Sequence, residues 1–288
     1  MKIDLISVPV FYGANKAGVE KGPQTLLQNG LTQLLNKNHL IDSSQLIEVL
    51  NTNDMGNDPT LKYLKQILNY NENLSQLVYE SLNSGNFPFT IGGDHSLALG
   101  TLSGALKANP DTLVIWIDAH TDINTHLTTP SGHIHGMPIA SALNLGHPLL
   151  RSLFTNYIEP HQILYIGVRS IDDGEIKLIN ELNIQYMTPQ TFKMERLDSF
   201  LKDNPNVPVH CDLDIDVLDA SLVPGTSTPV SDGFSINEVV SIVEYLRDTN
   251  RVTSLDFVEF NPDYDQDNLT LNTSLLLLNT FFNKENKT

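Results

Sequence analysis

Asp118-Ala119-His120-Thr121-Asp122 closes the apolar run Leu113-Val114-Ile115-Trp116-Ile117, and the reading of this junction decides the fold. The run is short, rich in β-branched residues and free of polar interruption, as expected of a strand buried on both faces of a parallel sheet. Three strongly polar side chains follow it at i, i+2 and i+4. In an extended segment, alternation points all three to one side. Two carboxylates and an imidazole are then aimed at one point, an arrangement costly to bury unless a cation compensates it.

Outward from this junction, strand-like and helix-like segments alternate. Strands are expected over residues 3–10, 45–50, 87–91, 112–117, 163–168, 184–187, 207–215 and 252–260. Helices are expected over 61–82, 96–108, 137–143, 174–182, 192–201, 236–247 and 270–282, and another from Pro23 with Leu26, Leu27, Leu31, Leu34 and Leu35 on its buried face. This alternation predicts βαβ units, and therefore an α/β fold with a parallel sheet covered by helices on both faces. No repeat, low-complexity tract or linker-like composition shift divides the chain, so residues 1–288 read as one domain. In such folds the site lies beyond the C-terminal ends of the strands, where each polar cluster of this chain falls.

The balance of 34 acidic against 17 basic residues gives a net charge of −17. That argues against nucleic acid or an anionic membrane as partner and suits a cationic substrate or a metal, although acidity also serves solubility. Cys211 is the only cysteine, which excludes an intrachain disulfide and a thiolate metal cluster. The N-terminus lacks the apolar core of a signal peptide, and no run approaches the roughly 20 apolar residues that span a bilayer. A cytoplasmic setting is the expectation.

Three strand ends supply candidate metal ligands: Gly92-Gly93-Asp94-His95, the 118–122 segment, and Cys211-Asp212-Leu213-Asp214-Ile215-Asp216. Asp212, Asp214 and Asp216 share one side of an extended strand and would repel strongly at low dielectric without compensation. Two divalent cations would supply it. A set of four carboxylates and two imidazoles favours manganese over thiolate-loving metals and over magnesium, with zinc and iron still compatible by ligand type. Taken singly, a strand-end histidine is an ordinary structural residue and a D-x-D an ordinary solvated loop. Three such clusters at corresponding ends of parallel strands point instead to a metal centre. Asp212 lies deeper in its strand and reads as a supporting residue rather than a ligand.

The segments GGDHSLALGT (92–101), WIDAHTDINT (116–125) and DLDIDVLDASLVPGTSTPV (212–230) resemble the ureohydrolase family, and within it the arginases. The resemblance runs from the Gly-rich loop at 18–23 to Glu259-Phe260-Asn261-Pro262. It implies a three-layer αβα sandwich around a mostly parallel eight-stranded sheet. It also implies two bridged manganese ions held by His95, Asp118, His120, Asp122, Asp214 and Asp216. The family reaction is hydrolysis of a guanidino group with release of urea by a hydroxide bridging the two ions, which for arginases converts L-arginine to L-ornithine.

By motif position, Asn124, Thr129 and Ser131 would bind the substrate carboxylate, and Asp172 and Glu175 would lie near its ammonium. Glu259 would hold the guanidinium, and His135 would carry a proton to the leaving group. Two plainer readings stand beside these: His135 as a helix cap, and Asp172 with Glu175 as acidic residues favoured at a helix start. His133 occupies a position where arginases carry asparagine, which either weakens a carboxylate contact or replaces it with an imidazole N–H donor. Val217 and Ala220 replace a usual glycine and proline. A homo-oligomer, trimer or hexamer, follows from the resemblance alone.

Competing readings are a ureohydrolase acting on agmatine, formiminoglutamate or another guanidino acid, a catalytically silent metal-binding or arginine-sensing relative, and a single-zinc deacetylase. The Thr128-Thr129-Pro130-Ser131-Gly132 stretch speaks against agmatine, and retention of all six ligands and His135 against the other two.

Overall fold

The computed structural model describes residues 1–284. Its sheet contains β1 (Lys2–Val8), β2 (Leu40–Leu46), β3 (Phe87–Gly92), β4 (Leu113–Ile117), β5 (Ile163–Ile166), β6 (Gln185–Met187), β7 (Val209–Asp214) and β8 (Val252–Val258). The eight strands lie in the order β2-β1-β3-β8-β7-β4-β5-β6, and every pairing is parallel. The sheet is thus all-parallel, where a mostly parallel one was expected.

Among the described residues, ten α-helices are interspersed with the strands: α1 (Gly22–Gln28), α2 (Leu31–Leu35), α3 (Leu64–Asn83), α4 (Ala98–Ala108), α5 (Pro138–Ala142), α6 (Pro148–Arg151), α7 (Asp173–Leu182), α8 (Met194–Asp203), α9 (Ile236–Asp248) and α10 (Leu269–Phe282). Alternation along β4 sorts the core into two halves. Leu113, Ile115 and Ile117 join Leu26, Leu31, Phe200, Ile242 and Leu278 of α1, α2, α8, α9 and α10 on one face. Val114 and Trp116 join Ile67, Leu102, Ile139 and Ile179 of α3, α4, α5 and α7 on the other. These are the two helical layers of the αβα sandwich. Cys211 is buried in the first, a small core residue.

Two expectations need correction. The second strand lies at Leu40–Leu46, earlier than the 45–50 expected. It is an edge strand largely open to solvent, with Leu40 and Leu46 56% and 72% exposed, so it carries no burial pattern to read. The helix expected from Pro23 is two helices, because Gly30 adopts φ 108° between them.

The central strands β3, β8, β7 and β4 are consecutive neighbours, and their C-terminal ends carry the polar clusters. No helix among the described residues is long and apolar enough to cross a membrane.

Candidate metal centre and substrate pocket

Beyond β3 the chain turns at Gly93, where an added Cβ would stand 1.8 Å from the Val10 carbonyl oxygen. Asp94 then caps the 3-10 turn His95–Leu97, accepting from the Ser96 N–H at 2.9 Å and from the Gly13 N–H at 2.8 Å. His95 lies flat on Trp116, ring centroids 4.3 Å apart, and its Nε2 meets Asp212 Oδ1 at 2.8 Å. An ionised carboxylate only accepts, so Nε2 carries the hydrogen and the Nδ1 lone pair is turned to the site.

Three carboxylate oxygens surround that nitrogen: Asp118 Oδ2 at 3.1 Å, Asp122 Oδ2 at 3.2 Å and Asp214 Oδ2 at 3.2 Å. One imidazole nitrogen makes one hydrogen bond, so three oxygens converging on it outline the shell of a cation. A second group adjoins the first. His120 Nδ1 lies 3.4 Å from Asp118 Oδ1 and 3.2 Å from Asp216 Oδ2. Asp118 belongs to both groups, one oxygen toward each, as a carboxylate bridging two cations would.

Hydrogen bonds aim these carboxylates. Asp118 accepts from Trp116 Nε1 at 3.0 Å and from the His120 N–H at 2.7 Å. Asp214 accepts from the Asp216 N–H at 2.8 Å, and Asp216 from Thr228 Oγ1 at 2.9 Å and the Ala119 N–H at 3.2 Å. Arg169 fixes the backbone behind them, donating to the carbonyls of Asp216, Val217 and Leu218 on one side and Val230 and Ser231 on the other.

The convergence does not come from strand alternation, as the sequence suggested. Asp118 to His120 form a bend after β4 and Asp122 sits at φ 47°, so the segment folds back on itself. Likewise Asp212 and Asp214 belong to β7, whereas Asp216 lies in the 3-10 turn Ile215–Val217. Asp122 and Glu259 (φ 63°) are both non-glycine residues in the left-handed region, the kind of backbone strain that collects at functional sites.

Burial pushes Asp122 and Asp214 well above the usual carboxylate range, and the charge of Asp118 adds to both. Asp118 runs the other way: against burial, His120 and His95 hold it low. Both imidazoles rise well above their usual range despite burial, His95 through Asp212 and Asp118, His120 through Asp216 and Asp118. Asp122 Oδ2 is buried with no hydrogen-bond donor. Hard-to-borderline divalent cations are the ligands this thiolate-free donor set fits, and they would relieve the charge crowding.

A pocket open to solvent lies over the centre and brings together every site residue named from the sequence except Asp216, whose carboxylate accepts from the pocket-lining Thr228. Glu259, 1% exposed, accepts the His95 N–H on Oε1 at 2.9 Å and leaves Oε2 buried without a partner. His135 Nδ1 stands 3.6 Å from Glu259 Oε1, and against burial this carboxylate raises the imidazole's pKa. His135 is therefore part of the pocket rather than a cap.

Across the pocket, Thr129 Oγ1 accepts the Gly132 N–H at 2.9 Å and Ser131 Oγ accepts the His133 N–H at 3.2 Å, which leaves both hydroxyl hydrogens to donate. Asn124 bonds Asp172 Oδ2 through Nδ2 at 2.8 Å and accepts from Thr128 Oγ1 at 2.9 Å. Glu175 accepts the Ile123 N–H at 3.2 Å and the Asp172 N–H at 2.9 Å, so it serves both as helix cap and as anchor of the loop. Trp116, Thr228 and Arg169 were not singled out from the sequence. Trp116 and Thr228 carried a signal, lying within the 116–125 and 212–230 segments, and Arg169 carried none.

An all-parallel αβα sandwich with two adjoining carboxylate–imidazole groups at its central strand ends presents a candidate two-metal centre. The chain belongs to the arginase family, whose profile matches residues 1–282. It is 36% identical over 296 residues to the arginase of Bacillus caldovelox, covering 98% of each chain. It is 35% identical to arginase-1 of Rattus norvegicus, over 96% of this chain and 90% of the relative. Among solved structures it superposes on the Bacillus caldovelox arginase with a TM-score of 0.92, at 36% identity and 99% coverage of both chains. On the Entamoeba histolytica arginase solved with L-ornithine the TM-score is 0.91, at 33% identity over 98% of this chain and 99% of that one.

Proposed function

We propose that the protein hydrolyses L-arginine to L-ornithine and urea. Two manganese ions would be held by His95, Asp118, His120, Asp122, Asp214 and Asp216. Bound there, the ions would bring the pKa of a water toward neutrality and so supply hydroxide.

The protein's own groups then do the rest. Glu259 Oε2 is a buried, unpartnered acceptor, and a guanidinium offers it the donors it lacks. The hydroxyls of Thr129 and Ser131, with Asn124 and His133, line the far end of the pocket as neutral donors for a carboxylate. Asp172 lies beside them to meet an ammonium. When oxygen adds to the guanidinium carbon and the bond from that carbon to the substrate's side-chain nitrogen breaks, the departing amine needs a proton. His135, whose affinity for protons Glu259 raises, is placed to give it.

The observation that carries this reading is the orphaned Glu259 oxygen, beside His135 and within one pocket with both ligand groups. The family resemblance further suggests a homo-oligomer, trimer or hexamer, which light scattering would test. For the activity, manganese-loaded protein should release urea from L-arginine, with agmatine and formiminoglutamate poor. Faster turnover of agmatine would refute the substrate assignment.

A further inference from the structure

Lys62 lies just before α3, far from the metal centre in sequence, yet it reaches the loop that lines the far end of the pocket. Its Nζ donates to the Ser131 carbonyl at 2.7 Å and stands 3.4 Å from His133 Nε2. Its own N–H donates to the Gly132 carbonyl at 3.1 Å. Gly132, at φ 74°, packs so close to the preceding turn that an added Cβ would stand 1.8 Å from the Pro59 carbonyl oxygen. The 58–63 segment therefore grips residues 131–133 from outside the pocket.

A lysine ammonium can only donate, so the His133 nitrogen facing it must accept. The ring is then neutral with its hydrogen on Nδ1, and that N–H has no acceptor among the described residues. Burial, followed by the charges of His135, Lys62 and Lys16, lowers the His133 pKa to about 4, in keeping with a neutral ring. His133 lines the pocket alongside Ser131 and Thr129.

We propose that Lys62 is a positioning and specificity-determining residue: it fixes His133 as the Nδ1–H tautomer, adding a donor and a nearby positive charge at the carboxylate end of the pocket. The inference rests on the arginine-hydrolase reading above. It makes the carboxylate contact a product of two segments, one of them outside the loop that carries the family motif. In a chain of net charge −17, a fixed cation at this end also offsets the repulsion that an anionic group would meet.

Manganese-loaded wild type, Lys62→Met and Lys62→Arg should be compared on L-arginine and on agmatine, which has no carboxylate. Lys62→Met should raise KM for L-arginine about tenfold, the size of one charged hydrogen bond, while leaving kcat within about twofold. Its kcat/KM for agmatine and its metal content should match wild type, and Lys62→Arg should recover most of the loss. A parallel fall on agmatine, an unchanged KM for L-arginine or a failure of arginine to rescue would overturn the proposal. Long-range ¹H–¹⁵N spectra give a second reading: His133 should be the Nδ1–H tautomer in wild type and a mixture in Lys62→Met, and a wild-type Nε2–H ring would refute it. Wild type that makes no urea from L-arginine would sink the functional reading with it. Normal turnover with an insensitive variant would sink only the role of Lys62.

Discussion

At the scale of single residues, hydrogen placement governs the site. Asp212 Oδ1 takes the Nε2 hydrogen of His95 at 2.8 Å and so turns the Nδ1 lone pair into the ligand cluster. Asparagine at this position would keep an acceptor but lose the negative charge that makes the imidazole a stronger ligand. Asp212→Asn should therefore weaken manganese binding about 10- to 100-fold, as changes behind a metal-bound histidine do. Calorimetric titration measures this directly, and wild-type affinity in the variant would show that Asp212 only packs. His133 makes the opposite use of a neighbour. With a folded pKa near 4 against an unfolded value of about 6.5, its neutral ring contributes stability that is complete above pH 6.5 and lost as pH falls through 4. An NMR titration of this ring should show a midpoint far below 6.5; a midpoint at or above that value contradicts the environment described.

At the scale of elements, α4 delivers His95 to the site, and its depth is set by α3. Gly100 and Gly104 let the two helices approach until an added Cβ at Gly104 would stand 2.6 Å from the Ser75 carbonyl oxygen and 2.8 Å from Val78 Cβ. Gly104→Val should cost about 1–3 kcal/mol by overpacking, read in thermal denaturation, and should loosen the turn that carries His95. A variant as stable as wild type would mean that the helices can part freely. Helices and central strands were legible in the sequence because both faces of the sheet are buried, which writes unbroken apolar runs and helical stripes into it. The edge strand β2 was not, since exposure removes the pattern. The metal ligands were legible as residue types at strand ends, but their convergence was misread as alternation when it is made by a bend and by the left-handed Asp122. Lys62 and Arg169 carry no local signature, because what they do depends on segments brought together by the sheet order. Trp116 lies in the 116–125 motif, but its stacking on His95 likewise depends on β3 and β4 being brought together.

For the whole molecule, the centre sets folding against charge. Asp118, Asp122, Asp214 and Asp216 are each no more than 5% exposed and lie together under one pocket. Without metal, burial raises the proton affinity of Asp122 and Asp214, and against burial the neighbouring carboxylates raise that of His95 and His120. The unfolded chain has no such crowding, so part of the stability gained from the core offsets it. A ligand that binds only the folded chain stabilises it by mass action, about 2.7 kcal/mol at a hundredfold excess over Kd. Exhaustive chelation should therefore lower Tm by several degrees at neutral pH, and manganese should restore it. Magnesium should restore less, because it binds imidazole weakly and holds its own water. His120→Asn removes a ligand from one group only, so the variant should keep a smaller manganese-dependent rise in Tm. Equal Tm with and without metal would mean that the cluster is satisfied by protons alone, and the case for a two-ion centre would fall with it.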